Sequence, residues 1–392
     1  MRVPGFKFAG VACGIKKTRR KDLALIFSER PAVAAALFTT NWVKAAPVIV
    51  GMRHIKRGLV QAVVINSGVA NACTGAQGLR DAEVMCRDVA SCLDIDAGLV
   101  LPSSTGLIGV PLPMDKIRSG IEKAADLLSE DSFSQAARAI LTTDRDIKTS
   151  SAGCRVEGKK VVVAGMAKGA GMIAPKMATM LAYIMTDAAV EPRCLRAMLR
   201  RAVAETFNAI TVDGDMSTND TVLFMANGVA GNSPIKSGSR EEDILFSAAR
   251  EVMETLALKL VEDGEGATKV VEIRVLGSRS SAEAKKVAYT VATSQLVKTA
   301  FFGEDPNYGR IMAAIGRAEV PIKPDRVDIF FDGVTVVRRG AGVNAAETEA
   351  GRVLKQPSFT VRINLRQGNA AASVWTSDLT HDYVRLNSAY RT

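Results

Sequence analysis

The segment Lys159–Asp187, KKVVVAGMAKGAGMIAPKMATMLAYIMTD, concentrates residues that could do unusual chemistry. An apolar run from Val161 to Ala164 enters a glycine-rich turn, then Pro175, then a second apolar run from Met177 to Met185. Three readings are open. Gly169-Ala-Gly171-Met-Ile-Ala174 has the outline of a dinucleotide-binding GxGxxA turn, but that motif needs a helix to begin there, and Pro175 would interrupt its first turns. A glycine-rich bend delivering the chain into a buried strand is the plain structural reading. The third is chemical: Thr179, after a constrained glycine–proline turn, stands where a self-cleaving precursor places its nucleophile. Thr179 Oγ would attack the carbonyl carbon of Ala178, an N→O acyl shift would follow, and hydrolysis of the ester would free a new N-terminus. The released α-amine lies beside the Oγ, and its unperturbed pKa of about 7.7–8.0 lets it accept the hydroxyl proton near neutral pH.

Histidine scarcity bears on the choice. Only His54 and His381 are present, so a histidine-dependent triad or a multi-histidine metal site would have to draw on one or both. A processed threonine carries its own base. Formal net charge is +10, and the densest basic run is Lys16, Lys17, Arg19, Arg20 and Lys21. No aromatic residues interleave with it and only 5% of the chain is aromatic. It reads as a solvated loop, and nucleic-acid binding is not expected. A positive surface would equally draw a small anionic substrate.

The elements that must position these residues can be sketched. At 392 residues, 47% apolar and 23% charged, the chain is expected to form about two compact units and not to be disordered. Val327–Val337 reads as a hairpin hinged at Asp332-Gly333. Phe359, Val361, Ile363 and Leu365 alternate with polar residues, as do Val271, Ile273 and Val275, predicting half-buried strands. Ser239-Arg-Glu-Glu242 opens a helix with Ile244, Leu245, Ala248, Val252 and Leu256 on one face, and Pro192 starts another with Leu195, Met198, Leu199, Ala202 and Val203 inward. Such helices beside alternating, mostly antiparallel-type strands predict a layered α+β fold; the strand order is not legible. The six cysteines form no CxxC pair and read as reduced and mostly buried. With no apolar leader and no long apolar stretch, a cytoplasmic protein without a membrane span is expected.

Longer motifs then narrow the reading. These are Gly5-Phe6 through Gly14-Ile15-Lys16, Ile65-Asn-Ser-Gly-Val-Ala-Asn-Ala-Cys-Thr-Gly75, Ser104-Thr-Gly-Leu-Ile-Gly109 and Lys168-Gly-Ala-Gly-Met-Ile-Ala-Pro-Lys-Met-Ala-Thr-Met-Leu181. Thr211-Val-Asp-Gly-Asp-Met-Ser-Thr-Asn-Asp220, Asp263-Gly-Glu-Gly-Ala-Thr-Lys269, Gly303-Glu-Asp-Pro-Asn-Tyr-Gly-Arg310 and Asp378-Leu-Thr-His-Asp-Tyr-Val384 follow in order. On these, over essentially its whole length, the chain resembles the ornithine acetyltransferase family, the bifunctional glutamate N-acetyltransferases of the cyclic arginine pathway.

The resemblance implies a layered α/β sandwich of the self-processing type with two lobes sharing a core. It implies cleavage between Ala178 and Thr179 into an α chain, residues 1–178, and a β chain, residues 179–392, assembled as an α2β2 heterotetramer. It implies ping-pong acetyl transfer from N-acetylornithine to glutamate through a Thr179 ester, with Thr105 and Gly106 as oxyanion donors. Substrate would be lined by Thr142, Lys168, Thr179, Glu265, Asn387 and Thr392, with Lys168 facing a substrate carboxylate and Glu265 an ammonium. The C-terminus would be ordered into the site. No metal or cofactor is implied; acetyl-CoA as a further donor is left open. Arg145-Asp146 and Trp375-Thr-Ser depart from the family pattern without touching these positions. A self-processing amide hydrolase or aminopeptidase of the same architecture is the competing enzyme reading.

Overall fold

A computed structural model of the chain describes residues 1–18, 20–174 and 180–389. Ala178, Thr179 and Thr392 therefore lie outside the described residues. Two compact units emerge. The first comprises Met1–Asn208 and Asp215–Leu260 within the described ranges; the second comprises Ala209–Gly214 and the chain from Val261 onward.

Unit 1 is organised by one large sheet. Its strands are β1 (Phe6–Val11), β2 (Leu23–Phe38), β3 (Leu59–Val69), β4 (Val100–Leu107), β5 (Lys148–Val156), β6 (Lys159–Lys168), β7 (Leu181–Thr186) and β8 (Thr221–Ala226). They run in the order β4-β3-β2-β8-β7-β6-β5, with β1 also pairing β2. Both faces are buried, and successive side chains divide between them. Val63 and Ile65 of β3 join one cluster with Phe6, Phe8, Phe133 and Tyr183. Ala62 and Val64 join another with Met85 and Val89 of the helix Gly75–Leu93 and Ile117 and Ile121 of the helix Met114–Asp126. Each fully buried Ile, Leu or Phe contributes roughly 1.5–3 kcal/mol. The helix–sheet–buried-layer arrangement is the α+β sandwich expected from the sequence.

β2 is the corner of this sheet. It pairs β3 through Leu23–Val33, with a register shift between Phe27 and Ala32, and then pairs β8 through Val33–Phe38. A long strand that changes partner across an irregularity bends the sheet. The expectation of mostly antiparallel pairing holds in this sheet with two exceptions: β3/β4 and β7/β8 are parallel. Side-chain alternation is the same in both ladder types, so the pattern could not distinguish them.

Unit 2 carries its own sheet and its own buried cluster. Its strands β9 (Val270–Ser278), β10 (Asp328–Phe331), β11 (Val334–Arg338), β12 (Ala341–Gly342), β13 (Ser358–Asn364) and β14 (Ala370–Ser377) run in the order β12-β11-β10-β13-β9-β14. The β10–β11 hairpin turns at Asp332, whose φ of 48° is the left-handed conformation that the Asp-Gly pair favours. The helix Ser281–Ala292 buries Val287 and Val291 with β9's Val271, Ile273 and Val275. The predicted helices over 192–205 and 240–262 are present, and Ser239 Oγ accepts the Glu242 N–H at 3.2 Å. The cysteine expectation needs correction: all six are free, but only Cys86 and Cys194 are buried, while Cys73 and Cys92 are exposed. Cys73 occupies a positive-φ turn and Cys92 the outward face of its helix, positions that apolar composition alone does not reveal.

Candidate active site

The end of β4 is built around two facing glycines. Gly106 pairs Gly68 in the parallel β3–β4 ladder, where the register shifts, and φ is +130° at Gly106 and +113° at Gly68. A Cβ on Gly106 would lie 2.3 Å from the Gly68 carbonyl carbon, so only glycine permits this approach. Asn66 holds the irregularity together. It accepts the Ser104 hydroxyl at 2.6 Å on its amide oxygen and donates to Val69 O at 2.8 Å. Thr105 is thereby presented at the sheet end, 8% exposed.

Lys168, the last residue of β6, reaches that same point. Its Nζ donates to Thr105 Oγ1 at 3.1 Å, although four strands separate β4 from β6 in the sheet order. The curl at β2 closes that gap. Lys168 is 4% exposed, because β6 continues right up to it.

A buried ionic group adjoins it. Asp144 accepts Lys148 Nζ at 2.7 Å, the Gly169 N–H at 2.7 Å and the Thr142 N–H at 2.9 Å. Burial opposes ionisation, but the charges of Lys168 and Lys148 and the Thr142 N–H outweigh it, holding the carboxyl well below the usual range. Asp144 thus ties Thr142 to the strand end bearing Lys168. Lys16, read from sequence as part of a solvated run, is instead half-buried. Its Nζ donates to Leu141 O at 2.7 Å and Lys21 O at 2.9 Å, and burial lowers its pKa to about 8. The result is an electropositive corner suited to a carboxylate.

A small cleft collects Thr105, Lys168, Met180, Leu181, Ser217, Asn219 and Asp220. Asp220 is buried, and desolvation raises its pKa well above the ordinary value despite the Met180 N–H and the Lys168 charge. Neither Asp144 nor Asp220 was assigned a role from sequence. Acidic residues in turns are ordinarily solvated, and only burial distinguishes these two. Neither histidine lines the cleft: His54 Nδ1 is 2.7 Å from Val100 O, and His381 stacks edge-on to Phe302. The glycine-rich stretch 169–174 forms bends and, among the described residues, no dinucleotide-type helix follows.

Glu265 and Asn387 meet in unit 2. Asn387 Nδ2 donates to Glu265 Oε2 at 2.9 Å, from the exposed helix His381–Ala389. Asp378 accepts from the Thr268 N–H at 2.9 Å, the Lys269 N–H at 3.1 Å and the Thr268 hydroxyl. Thr380 Oγ1 donates to Gly266 O at 2.8 Å. The 263–269 and 378–384 motifs are therefore two halves of one clasp. Six of the nine named site residues are described: Thr105, Gly106, Thr142 and Lys168 stand together in unit 1, and Glu265 with Asn387 in unit 2. A larger cleft in unit 2, lined by Asp305, Asn307, Tyr308, Val336, Val343 and Glu347 among others, holds none of them. Among the described residues no cluster of His, Cys, Asp or Glu could hold a metal, and no helix is long and apolar enough to cross a membrane.

The ArgJ family model matches residues 7–392. The arginine biosynthesis bifunctional protein ArgJ of Geobacter sulfurreducens is 50% identical over 393 residues, covering 100% of both chains. That of Caldanaerobacter subterraneus is 47% identical over 99% of this chain and 97% of its own. A crystal structure of arginine biosynthesis bifunctional protein ArgJ from Bacillus halodurans is 37% identical with a TM-score of 0.52, covering 53% of this chain and 98% of that one. Agreement of this extent, from end to end of the chain, leaves one assignment: the chain belongs to the ArgJ family of bifunctional arginine-biosynthesis enzymes.

Proposed function

We propose that the chain transfers an acetyl group from N-acetylornithine to glutamate, using Thr179 as nucleophile after self-cleavage at the Ala178–Thr179 bond. The observation that carries this reading is the cleft itself. Met180, covalently next to Thr179, shares it with Thr105 and Lys168, so a nucleophile at 179 has an oxyanion donor and a cation within its own surroundings.

In the proposed sequence the freed α-amine takes the Thr179 hydroxyl proton while Oγ attacks the acetyl carbonyl. Thr105 and the Gly106 N–H stabilise the tetrahedral oxyanion, a contribution of a few kcal/mol per donor. Ornithine leaves with a proton on its amine, and glutamate attacks the ester in the second half-reaction. Donor and product are both amides, so no energy-rich donor is needed. Lys168, with Lys16 nearby, receives the carboxylate shared by both amino acids; Thr142, Glu265, Asn387 and Thr392 are the further substrate positions that the family resemblance implies. The relatives' description as bifunctional supports acetyl-CoA as a second donor in a primary acetylation of glutamate; no resident cofactor is required. Cytoplasmic location and an α2β2 assembly belong to the same reading.

The covalent boundary at 178/179 is not the boundary between compact units. Cleavage there would leave β7 and β8, from the β chain, hydrogen-bonded between β2 and β6 of the α chain. The two products would stay locked in one sheet. Denaturing mass measurement tests the cut: fragments meeting at Ala178/Thr179 are expected, Thr179→Ala should remain whole and inactive, and Thr179→Ser should retain some cleavage. An intact chain that still transfers acetyl, or release of free acetate without transfer to glutamate, overturns the proposal.

A further inference from the structure

We propose that the adjacent residues Asn219 and Asp220 are a positioning pair that sets the distance between the nucleophile and the oxyanion donors; this rests on the reading of Thr179 and Thr105 given above. The two side chains grip different elements. Asn219 Nδ2 donates to Ser104 O at 2.8 Å and to Ala70 O at 2.6 Å, holding β4 at the residue before Thr105 and the chain just beyond β3. Asp220 Oδ1 accepts the Met180 N–H at 3.1 Å, holding the peptide bond that joins residue 180 to residue 179. The two residues are consecutive, so their Cα atoms are about 3.8 Å apart. One peptide unit therefore spans the gap between the donor strand and the nucleophile strand.

The base of this clamp is itself tied down. Asp220 O accepts the Thr39 N–H at 3.0 Å, Thr39 Oγ1 donates to Ser217 O at 2.7 Å, and the Ala45 N–H donates to Thr218 O at 2.9 Å. Met180 is held at both ends, because its carbonyl accepts the Thr221 N–H at 3.1 Å. Asp220 Oδ2 is fully buried and makes no hydrogen bond among the described residues. A position-setting role needs only one oxygen of this carboxyl: the residue must be an acceptor facing Met180, whatever its other oxygen meets.

The test compares Asn219→Ala, Asp220→Ala and Asp220→Asn with the wild-type chain, reading self-cleavage by mass and acetyl transfer from N-acetylornithine to glutamate. Misplacement by about 1 Å costs on the order of 100-fold. Both alanine variants should therefore lose about 100-fold in kcat and cleave slowly, with KM within about threefold. Asp220→Asn should recover to within about tenfold, since its amide oxygen still accepts the Met180 N–H. If an alanine variant fails to fold, Asn219→Asp supplies the same test, turning a double donor into an acceptor facing two carbonyls. Unimpaired kcat in the alanine variants, or a loss confined to KM, overturns the proposal. Asp220→Asn as inactive as Asp220→Ala also overturns it, assigning Asp220 a proton-carrying role instead. A wild-type chain that is neither cut nor active refutes the nucleophile reading and this proposal with it; an active wild type with unimpaired variants refutes only the pair.

Discussion

Replacing Gly106 by alanine should separate the oxyanion geometry from general stability. The added Cβ would stand 2.3 Å from Gly68 C, 2.5 Å from Gly68 O and 2.6 Å from Val69 N, all of them backbone atoms. Carbon atoms in contact need about 3.5–4.0 Å, so the ends of β3 and β4 must part by about 1 Å. No side chain can rotate away to absorb this. A φ of +130° adds strain of roughly 1–3 kcal/mol for a residue with a side chain, lowering Tm by roughly 2–12 °C. Displacing or losing one oxyanion donor costs on the order of 100- to 1000-fold in kcat. Because the proposed donors would act on the tetrahedral intermediate, KM for N-acetylornithine should move little. Gly109→Ala is the control: φ there is +79°, but nothing lies within 4 Å of an added Cβ. It should share the strain and keep kcat within about threefold. Steady-state acetyl transfer at temperatures where both variants are folded makes the comparison. A Gly106→Ala enzyme within threefold of wild type, or an equal loss in Gly109→Ala, would refute the geometric argument.

Other perturbations follow from the same groups. Lys168→Ala removes the cation 3.1 Å from Thr105 Oγ1; KM for N-acetylornithine and glutamate should rise about 10- to 100-fold, the scale of a lost charged hydrogen bond, with a smaller effect on self-cleavage, and an unchanged KM would sink the carboxylate role. Asp144 is held below the ordinary carboxyl range in the folded state, so the unfolded chain takes up its proton first as pH falls. Its stabilisation is present above about pH 4 and is lost below that. Urea midpoints at pH 5 and pH 3 should therefore converge in Asp144→Asn relative to wild type, and an identical acid sensitivity would contradict the assignment. Asp378→Ala strands two N–H groups and a hydroxyl and should cost about 3 kcal/mol in denaturant unfolding; a change below about 0.5 kcal/mol would show that the clasp is not a stabilising feature.

Local patterns carried a good deal of this protein. The alternation in 359–365 and 271–275 became β13 and β9, Asp332-Gly333 became the hairpin turn, and the apolar stripe after Pro192 became a buried helix face. Each depends on contacts within a few residues or on side-chain period, which sequence states directly. The motifs containing Thr105, Gly106, Lys168 and Glu265 could be picked out in the sequence, but the physical reason for a glycine at 106, the Gly68 backbone opposite it, could not.

What tertiary structure decided is which ordinary residues are extraordinary. Lys16 and Lys168 are lysines in a basic chain until burial strips their water. Asp144 and Asp220 are alike in composition, yet one is driven below the usual carboxyl range by two lysines and the other well above it by desolvation. The bonds responsible join residues far apart in the chain: Asn219 to Ser104, Met180 to Asp220, Lys168 to Thr105. The sequence by itself determined the family motifs and a composition with two histidines, and it singled out Thr179 as the proposed nucleophile. Where charge survives, and how far the end of β4 stands from Met180, depends on dielectric surroundings and on a curled sheet, neither of which exists before the chain folds.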